Sequence, residues 1–248
     1  MLKKYELDFI SDEDLFNHVK NTVNGYRFEI DLEKFNKNLI DPIKLTFDAG
    51  IYGKNIHDVV ESEVIRQIDK SNTNLIGYFH QNIFHYIGNG WSVPDEGWDI
   101  THKSKKIFVE MKNKHNTMNS SSSKNTYIRM LDQLVNEPEA TCMLVEVIAK
   151  NSQNISWDTT IDKKKVSNKR IRRVSIDKFY KLVTNDGLAF KKLCEILPKV
   201  IDDVVSQITL DNESNTVVSE LKEISPNLLK SLYLLSFEKY EGFGDFNV

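Results

Sequence analysis

Cysteine is scarce in this chain. Only Cys142 and Cys194 occur in 248 residues, each in an apolar setting (TCMLV and KLCEIL). A disulfide framework is thereby excluded, a metal site on two distant cysteines is improbable, and both read as reduced core residues of a cytoplasmic protein. Proline and glycine are also few, at five and ten, so long flexible linkers are not expected. No apolar run approaches the roughly 18 residues of a membrane helix, so no membrane partner is expected. Met1-Leu2-Lys3-Lys4 is followed by acidic residues and does not read as a signal peptide. There is no internal repeat, no phosphate-binding P-loop and no glycine-rich dinucleotide fingerprint. A strong net charge is lacking too: the value is -3, which by itself speaks mildly against a nucleic-acid partner.

The distribution of charge says otherwise. Acidic residues dominate before residue 64 and after residue 194, and the middle is basic. The run KKKVSNKRIRR at 163–173 holds seven Lys or Arg and no acid. Lys103, Lys105, Lys106, Lys112, Lys114, Lys124 and Arg129 form a second cluster. A basic band on an acidic body can contact a phosphate backbone. The plainer alternative is a solvated loop. Otherwise the composition, 40% hydrophobic and 28% charged, is that of an ordinary soluble protein.

The most informative stretch is PDEGWDITHKSKKIFVEMKNK, Pro94 to Lys114, which reads as a β-hairpin. Side chains alternate along a strand, so Ile107, Val109 and Met111 face one way and Phe108, Glu110 and Lys112 the other. A turn centred on Ser104 and Lys105 puts Asp99 directly across from Glu110, on the same face. Two adjacent carboxylates repel unless a cation joins them, and hard oxygen ligands suit Mg²⁺. Lys112 can orient or help deprotonate an attacking water, or offset charge on a phosphate. A surface hairpin with scattered charges would carry the same spacing.

Asp99…Glu110-Met111-Lys112 resembles the PD-(D/E)xK nuclease core. The words GYFHQNIFHYIG at 77–88, GWDI at 97–100 and VEMKNKHNTMNSSS at 109–122 resemble type II restriction endonucleases that cut GGNCC-type sites. The likeness covers roughly residues 50–200. It implies an α/β restriction-endonuclease-like core, a mixed central β-sheet flanked by helices in the order αβββαβ. It also implies one endonuclease domain over 1–248, with a catalytic core at about 55–180 and terminal elaborations for dimerisation or DNA contact. Asp99, Glu110 and Lys112 would be catalytic. Asp99, Glu110 and the Met111 main-chain carbonyl would hold Mg²⁺, and Glu61 is a further candidate from a preceding helix. Pro94-Asp95 departs from the pattern: either Asp95 or Asp99 can be the first carboxylate, and the hairpin favours Asp99. Double-stranded DNA is the implied substrate, cut at a short palindrome to leave 5′-phosphates. A palindrome implies a homodimer, and the host needs a cognate DNA methyltransferase. DNA-contact candidates are Lys114, Asn116, Asn119, Lys169, Arg170, Arg172 and Arg173. The alternatives are a structure-specific repair or resolvase nuclease, and an inactive DNA-binding protein on the same fold.

The remaining expectations are structural. Ser11 should cap a short helix over Asp12 to Val19. Tyr26 to Leu32 and Pro42 to Phe47 read as short strands. Residues 56–70 show helical period with a Val60, Val64, Ile68 stripe and Ile65 beside it, and 73–88 reads as a second helix, in which Gly77 permits close packing. His80 and His85 are five residues apart, on different faces, so that helix reads as core with polar edges. Asn113 to Asn125, with four consecutive serines, reads as a loop near the site. Tyr127 to Asn136 should be a helix and Thr141 to Ala149 a buried strand parallel to the catalytic one. Glu146 in that strand is either a supporting group for the site or a buried partner for a basic residue. Ile171 to Ile176 reads as an edge strand, 177–205 as helical pieces divided at Pro198, and Leu228 to Phe237 as a core or docking helix.

Overall fold

From the N-terminus the elements are α1 (Asp12–Gly25), α2 (Leu32–Asn36), α3 (Pro42–Tyr52), α4 (Ile56–Asn82), α5 (Phe84–Ile87), β1 (Trp91–Ser92), β2 (Ile100–His102) and β3 (Ile107–Lys114). They continue as α6 (Ser120–Asn136), β4 (Thr141–Ile148), β5 (Asn154–Ser156), β6 (Thr159–Ile161), β7 (Lys164–Val166), β8 (Ile171–Ser175), α7 (Ile176–Thr184), α8 (Ala189–Val205), α9 (Val217–Ile224) and α10 (Leu228–Phe237). This computed structural model describes residues 5–115, 117–208, 215–237 and 239–240. The chain divides into one unit of residues 1–24 and 76–209 and another of 25–75 and 210–248.

The first unit is built on a six-stranded mixed sheet in the order β1-β2-β3-β4-β8-β5. β2 and β3 are joined by a tight turn and pair antiparallel. β3 and β4 are joined through α6, and such a crossover returns the chain in the same direction. They pair parallel, as do β4 and β8. The fold is therefore mixed α/β with flanking helices, as expected. On β3 the alternation holds: Ile107, Val109 and Met111 are buried and Phe108, Glu110 and Lys112 only partly so. Val109, Met111, Val145 and Val174 pack with Phe84, Phe179 and Tyr180 on one side of the sheet. On the other side Cys142, Leu144 and Ile171 pack with Tyr127, Met130 and Leu134 of α6. β4 is covered on both sides, which explains its four consecutive buried apolar residues from Cys142 to Val145.

The second unit gathers α2, α3, the first part of α4, α9 and α10 around Phe35, Leu45, Val60, Val64, Leu221 and Leu232. Leu228 and Leu232 make α10 a core helix. Val60 and Val64 are buried and Ile68 half-buried, whereas Ile65 is 65% exposed. No helix among the described residues is long and apolar enough to cross a membrane.

Several local expectations are corrected. Residues 26–31 form no strand. Their backbone is held by side-chain amides instead, with Arg27 N–H donating to Asn72 and Ile30 N–H to Asn215, each at 2.9 Å. Pro42 to Phe47 opens helix α3, because the Asp41 carboxylate caps the Lys44 N–H at 3.0 Å and Pro at the first turn costs no hydrogen bond. α4 runs unbroken to Asn82, so 73–88 is not a separate helix, and a side chain at Gly77 would meet nothing within 4 Å. The four serines open α6, capped by Asn119, which accepts from Ser122 N–H at 2.8 Å. β8 is interior, since β5 covers its outer side. α8 continues through Pro198, with Leu193, Val200 and Val204 buried on either side of it. That shared apolar stripe outweighs the roughly 3 kcal/mol an interior proline costs. Ser11 does cap α1, accepting from Asp14 N–H at 3.0 Å.

Candidate active site

β2 and β3 pair with Ile100 opposite Val109 and His102 opposite Ile107. One further step brings Asp99 opposite Glu110. Asp99 N–H donates to the Val109 carbonyl at 3.0 Å, and its Oδ2 accepts from Met111 N–H at 2.6 Å. Asp99 and Glu110 thus stand opposite one another across the hairpin, near enough for the Glu110 charge to act on the Asp99 carboxyl. Burial, and then the neighbouring Glu110, raise the Asp99 carboxyl above its usual range against the opposing Met111 N–H, Lys112 and Arg129. Such a group gains from a cation beside it.

Glu110 is only 12% exposed and both its oxygens are held by cations. Lys112 Nζ lies 2.7 Å from Oε1, and an Arg129 nitrogen lies 2.6 Å from Oε2. Arg129 comes from α6, and its guanidinium stacks 4.0 Å above the Trp98 ring. Trp98 in turn donates its indole N–H to Gln133 at 3.3 Å, one helical turn beyond Arg129. The sequence reading counted Arg129 only as part of a basic cluster. Its tie to Glu110 spans 19 residues and follows from the crossover that lays α6 over the Glu110 face of the sheet. Two hard carboxylates fit a divalent ion such as Mg²⁺, which would compete with Lys112 and Arg129 for the Glu110 oxygens.

Beside Asp99 lies a cleft of about 500 Å³. Tyr78, Gln81, Asn82 and His85 line one part, and the 93–99 segment, with Asp95, lines the rest. Asp95 is exposed in a bend, outside the hairpin. Gln81 and His85, read from sequence as polar edges of a core helix, therefore face the space next to the carboxylate pair.

A second charged group lies on the same sheet face. Glu146 of β4 is 1% exposed and pairs with Arg173 of β8, whose Nε donates to it at 3.0 Å. His115 Nδ1 lies 3.1 Å from the other Glu146 oxygen, and Arg173 also donates to the His115 carbonyl at 3.3 Å. Glu146 is thus a buried partner for a basic residue. Lys112 and Glu146 are directly opposite in the β3–β4 ladder.

Among the DNA-contact candidates, Lys114, Asn119, Lys169 and Arg170 are exposed. Arg172 is held by Asn154, with Nε 2.7 Å from Oδ1, and Arg173 by Glu146. Asn116 lies outside the described residues. Glu61 is exposed on the part of α4 in the second unit, 3.8 Å from His57. His57, Asp58 and Glu61 place ligand atoms within 4.8 Å of one another. Asp58 is engaged in capping there, exchanging hydrogen bonds with Asn55 at 2.7 and 2.9 Å.

The sequence profile described as Eco47II restriction endonuclease matches residues 7–206. The chain belongs to the Eco47II restriction endonuclease family. It is 35% identical over 215 residues to the type II restriction enzyme Sau96I of Staphylococcus aureus, covering 82% of each chain. It is 29% identical over 215 residues to the type II restriction enzyme Eco47II of Escherichia coli, covering 81% of this chain and 89% of that one. The protein is thus a type II restriction endonuclease, a site-specific hydrolase of double-stranded DNA. Restriction endonucleases generally use divalent metal ions, in keeping with the acid pair on the hairpin.

Proposed function

We propose that this restriction endonuclease cuts a short G/C-rich palindrome of the GGNCC type with Mg²⁺, and that Asp99, Glu110 and Lys112 perform the chemistry. The observation that carries the reading is the meeting of Asp99 and Glu110 across the β2–β3 hairpin, with Lys112 Nζ 2.7 Å from Glu110. The GGNCC assignment rests on the motif words around the hairpin and on the similarity to Sau96I.

Asp99, Glu110 and the Met111 main-chain carbonyl would hold the ion, which when bound polarises the phosphate and stabilises its added charge. Lys112 orients the attacking water and offsets negative charge at the phosphorus. A water oxygen bonds to phosphorus as the bond to the 3′ oxygen breaks. The water's protons pass to solvent and to the leaving oxygen, giving a 5′-phosphate and a 3′-hydroxyl. Lys114, Asn119, Lys169 and Arg170, all exposed, would contact the duplex. A palindromic target calls for a two-fold homodimer with one site per strand. The enzyme then works in the cytoplasm beside a cognate DNA methyltransferase that protects the host.

The test is digestion of DNA of known sequence with Mg²⁺, followed by sequencing of the ends. Discrete fragments ending within GGNCC are expected. Glu110→Ala and Lys112→Ala should each abolish cleavage and retain DNA binding. Full activity in both variants would remove the assigned site, and fragments unrelated to GGNCC would remove the target.

A further inference from the structure

The basic run that sequence alone read as a loop contains a small β-ribbon. β6 and β7 pair antiparallel, with Thr159 opposite Val166, Thr160 opposite Lys165 and Ile161 opposite Lys164. Directly opposed residues share a face and neighbours alternate. Thr159, Ile161, Lys164 and Val166 lie on one face, and Ile161 and Val166 are half-buried in the apolar cluster beneath α6. Thr160 and Lys165 lie on the other face and are exposed.

Three further observations set the ribbon's role. First, it stands on the catalytic side of the sheet. Its apolar face joins the cluster that includes Trp98 and Phe108, and Phe108 shares a face with Glu110. Its turn is tied to α6 by Lys124, 2.7 Å from Asp162. Lys124 lies five residues before Arg129, roughly 8 Å along the helix axis. Second, its acid is neutralised and its bases are not. Asp162 is paired with Lys124, whereas Lys163, Lys164 and Lys165 are exposed and in no ion pair among the described residues. Third, its turn carries a cation where glycine is favoured. Asp162 and Lys163 have φ of 48° and 66°, as a two-residue type I′ turn requires. Glycine is the preferred second residue of such a turn, so lysine there is retained at a conformational cost.

Two strands about 5 Å apart fit a major groove about 12 Å wide. We propose that the β6–β7 ribbon enters the major groove of the target duplex, with Lys165 and Thr160 toward the base edges and Lys163 at the turn toward a flanking phosphate. Lysine donates to guanine O6 and N7, which a G/C-rich site presents. The ribbon is then a specificity element beside the cutting site, and the inference rests on the proposed G/C-rich target.

The test uses the full-length chain carrying Glu110→Ala, a duplex with one GGNCC site, and duplexes with single base changes. Lys163→Gly should reduce the slope of log affinity against log salt by about one. Its melting temperature should equal or exceed the parent's, because the turn is relieved. Lys165→Ala should cut the preference for the intact site over the changed ones roughly tenfold to a hundredfold. Wild-type salt slope and wild-type discrimination in these variants would overturn the proposal. A lowered melting temperature in Lys163→Gly would do so too, by making the lysine structural. Cleavage of the duplex by the Glu110→Ala parent would instead refute the catalytic assignment, and the salt slope remains readable in EDTA.

Discussion

Glu146 offers the sharpest quantitative test of the sheet beneath the site. Its carboxylate is 1% exposed and receives Arg173 on one oxygen and His115 on the other. Glu146→Ala leaves a guanidinium that is 21% exposed without its acid. Removing one partner of a buried pair costs roughly 3–5 kcal/mol, and partial access of Arg173 to water brings this to roughly 2–4 kcal/mol. In a chain of 248 residues, each kcal/mol lowers Tm by about 2–4 °C, so a fall of roughly 5–15 °C is expected. All three tryptophans, Trp91, Trp98 and Trp157, belong to the unit that carries the sheet, so their fluorescence reports its unfolding. The double variant Glu146→Leu, Arg173→Met removes both charges and should recover most of the loss. Single-turnover cleavage by Glu146→Ala should also slow, because Glu146 lies opposite Lys112 and Arg173 holds the His115 carbonyl just beyond β3. A Tm within about 1 °C of wild type, well short of the expected shift, would refute the reasoning. So would a double variant as unstable as the single one.

Two further perturbations probe neighbouring groups. Arg129→Ala frees one oxygen of Glu110, so an ion no longer competes with the guanidinium there. Mg²⁺ affinity measured by calorimetry at pH 8 should rise roughly three- to fivefold, as expected for loss of a competing ion pair of about 1 kcal/mol whose arginine is 45% exposed; unchanged affinity would show that the pair does not oppose the ion. His80 is lowered from 6.5 to about 4, first by burial and second by His18, and its Nδ1 has no partner among the described residues. The unfolded chain therefore takes up the proton first as pH falls through 6.5, and stability is lost until the folded form also protonates near 4. Between pH 7 and 4.5 the wild type should lose roughly 2–3 kcal/mol more than His80→Phe in urea unfolding, and parallel pH profiles would contradict this.

What could be read from the chain alone was local. Alternation with period two and a turn centred on Ser104 and Lys105 were enough to set Asp99 against Glu110, since the register of a tight hairpin follows from its turn. The same rule failed for Pro42 to Phe47 because six residues carry too little period, and the deciding signal was the Asp41 cap before a proline. It failed for the β6–β7 ribbon because T-T-I-D-K-K-K-V hides one half-buried apolar residue per strand among polar ones, and its turn lacks the usual glycine. The serine run looks like a loop by composition alone, but the Asn119 carbonyl caps the chain there and lets polar residues begin a helix.

Arg129 and the Glu146 group were illegible for a different reason. Their bonds span 19, 27 and 31 residues and depend on which strands neighbour which. A sequence names the acid pair through its hairpin, but Arg129, which holds Glu110, arrives from α6, and Arg173, which holds Glu146, arrives from β8, whose place follows from the order β3-β4-β8. The basic run accordingly divides by strand position. Arg173 is spent inside the sheet on Glu146, Arg172 is held at its edge by Asn154, and the lysines of the ribbon remain unpaired among the described residues. A count of seven positive charges treats these as equals. Their strand positions separate those engaged within the protein from those that stay exposed.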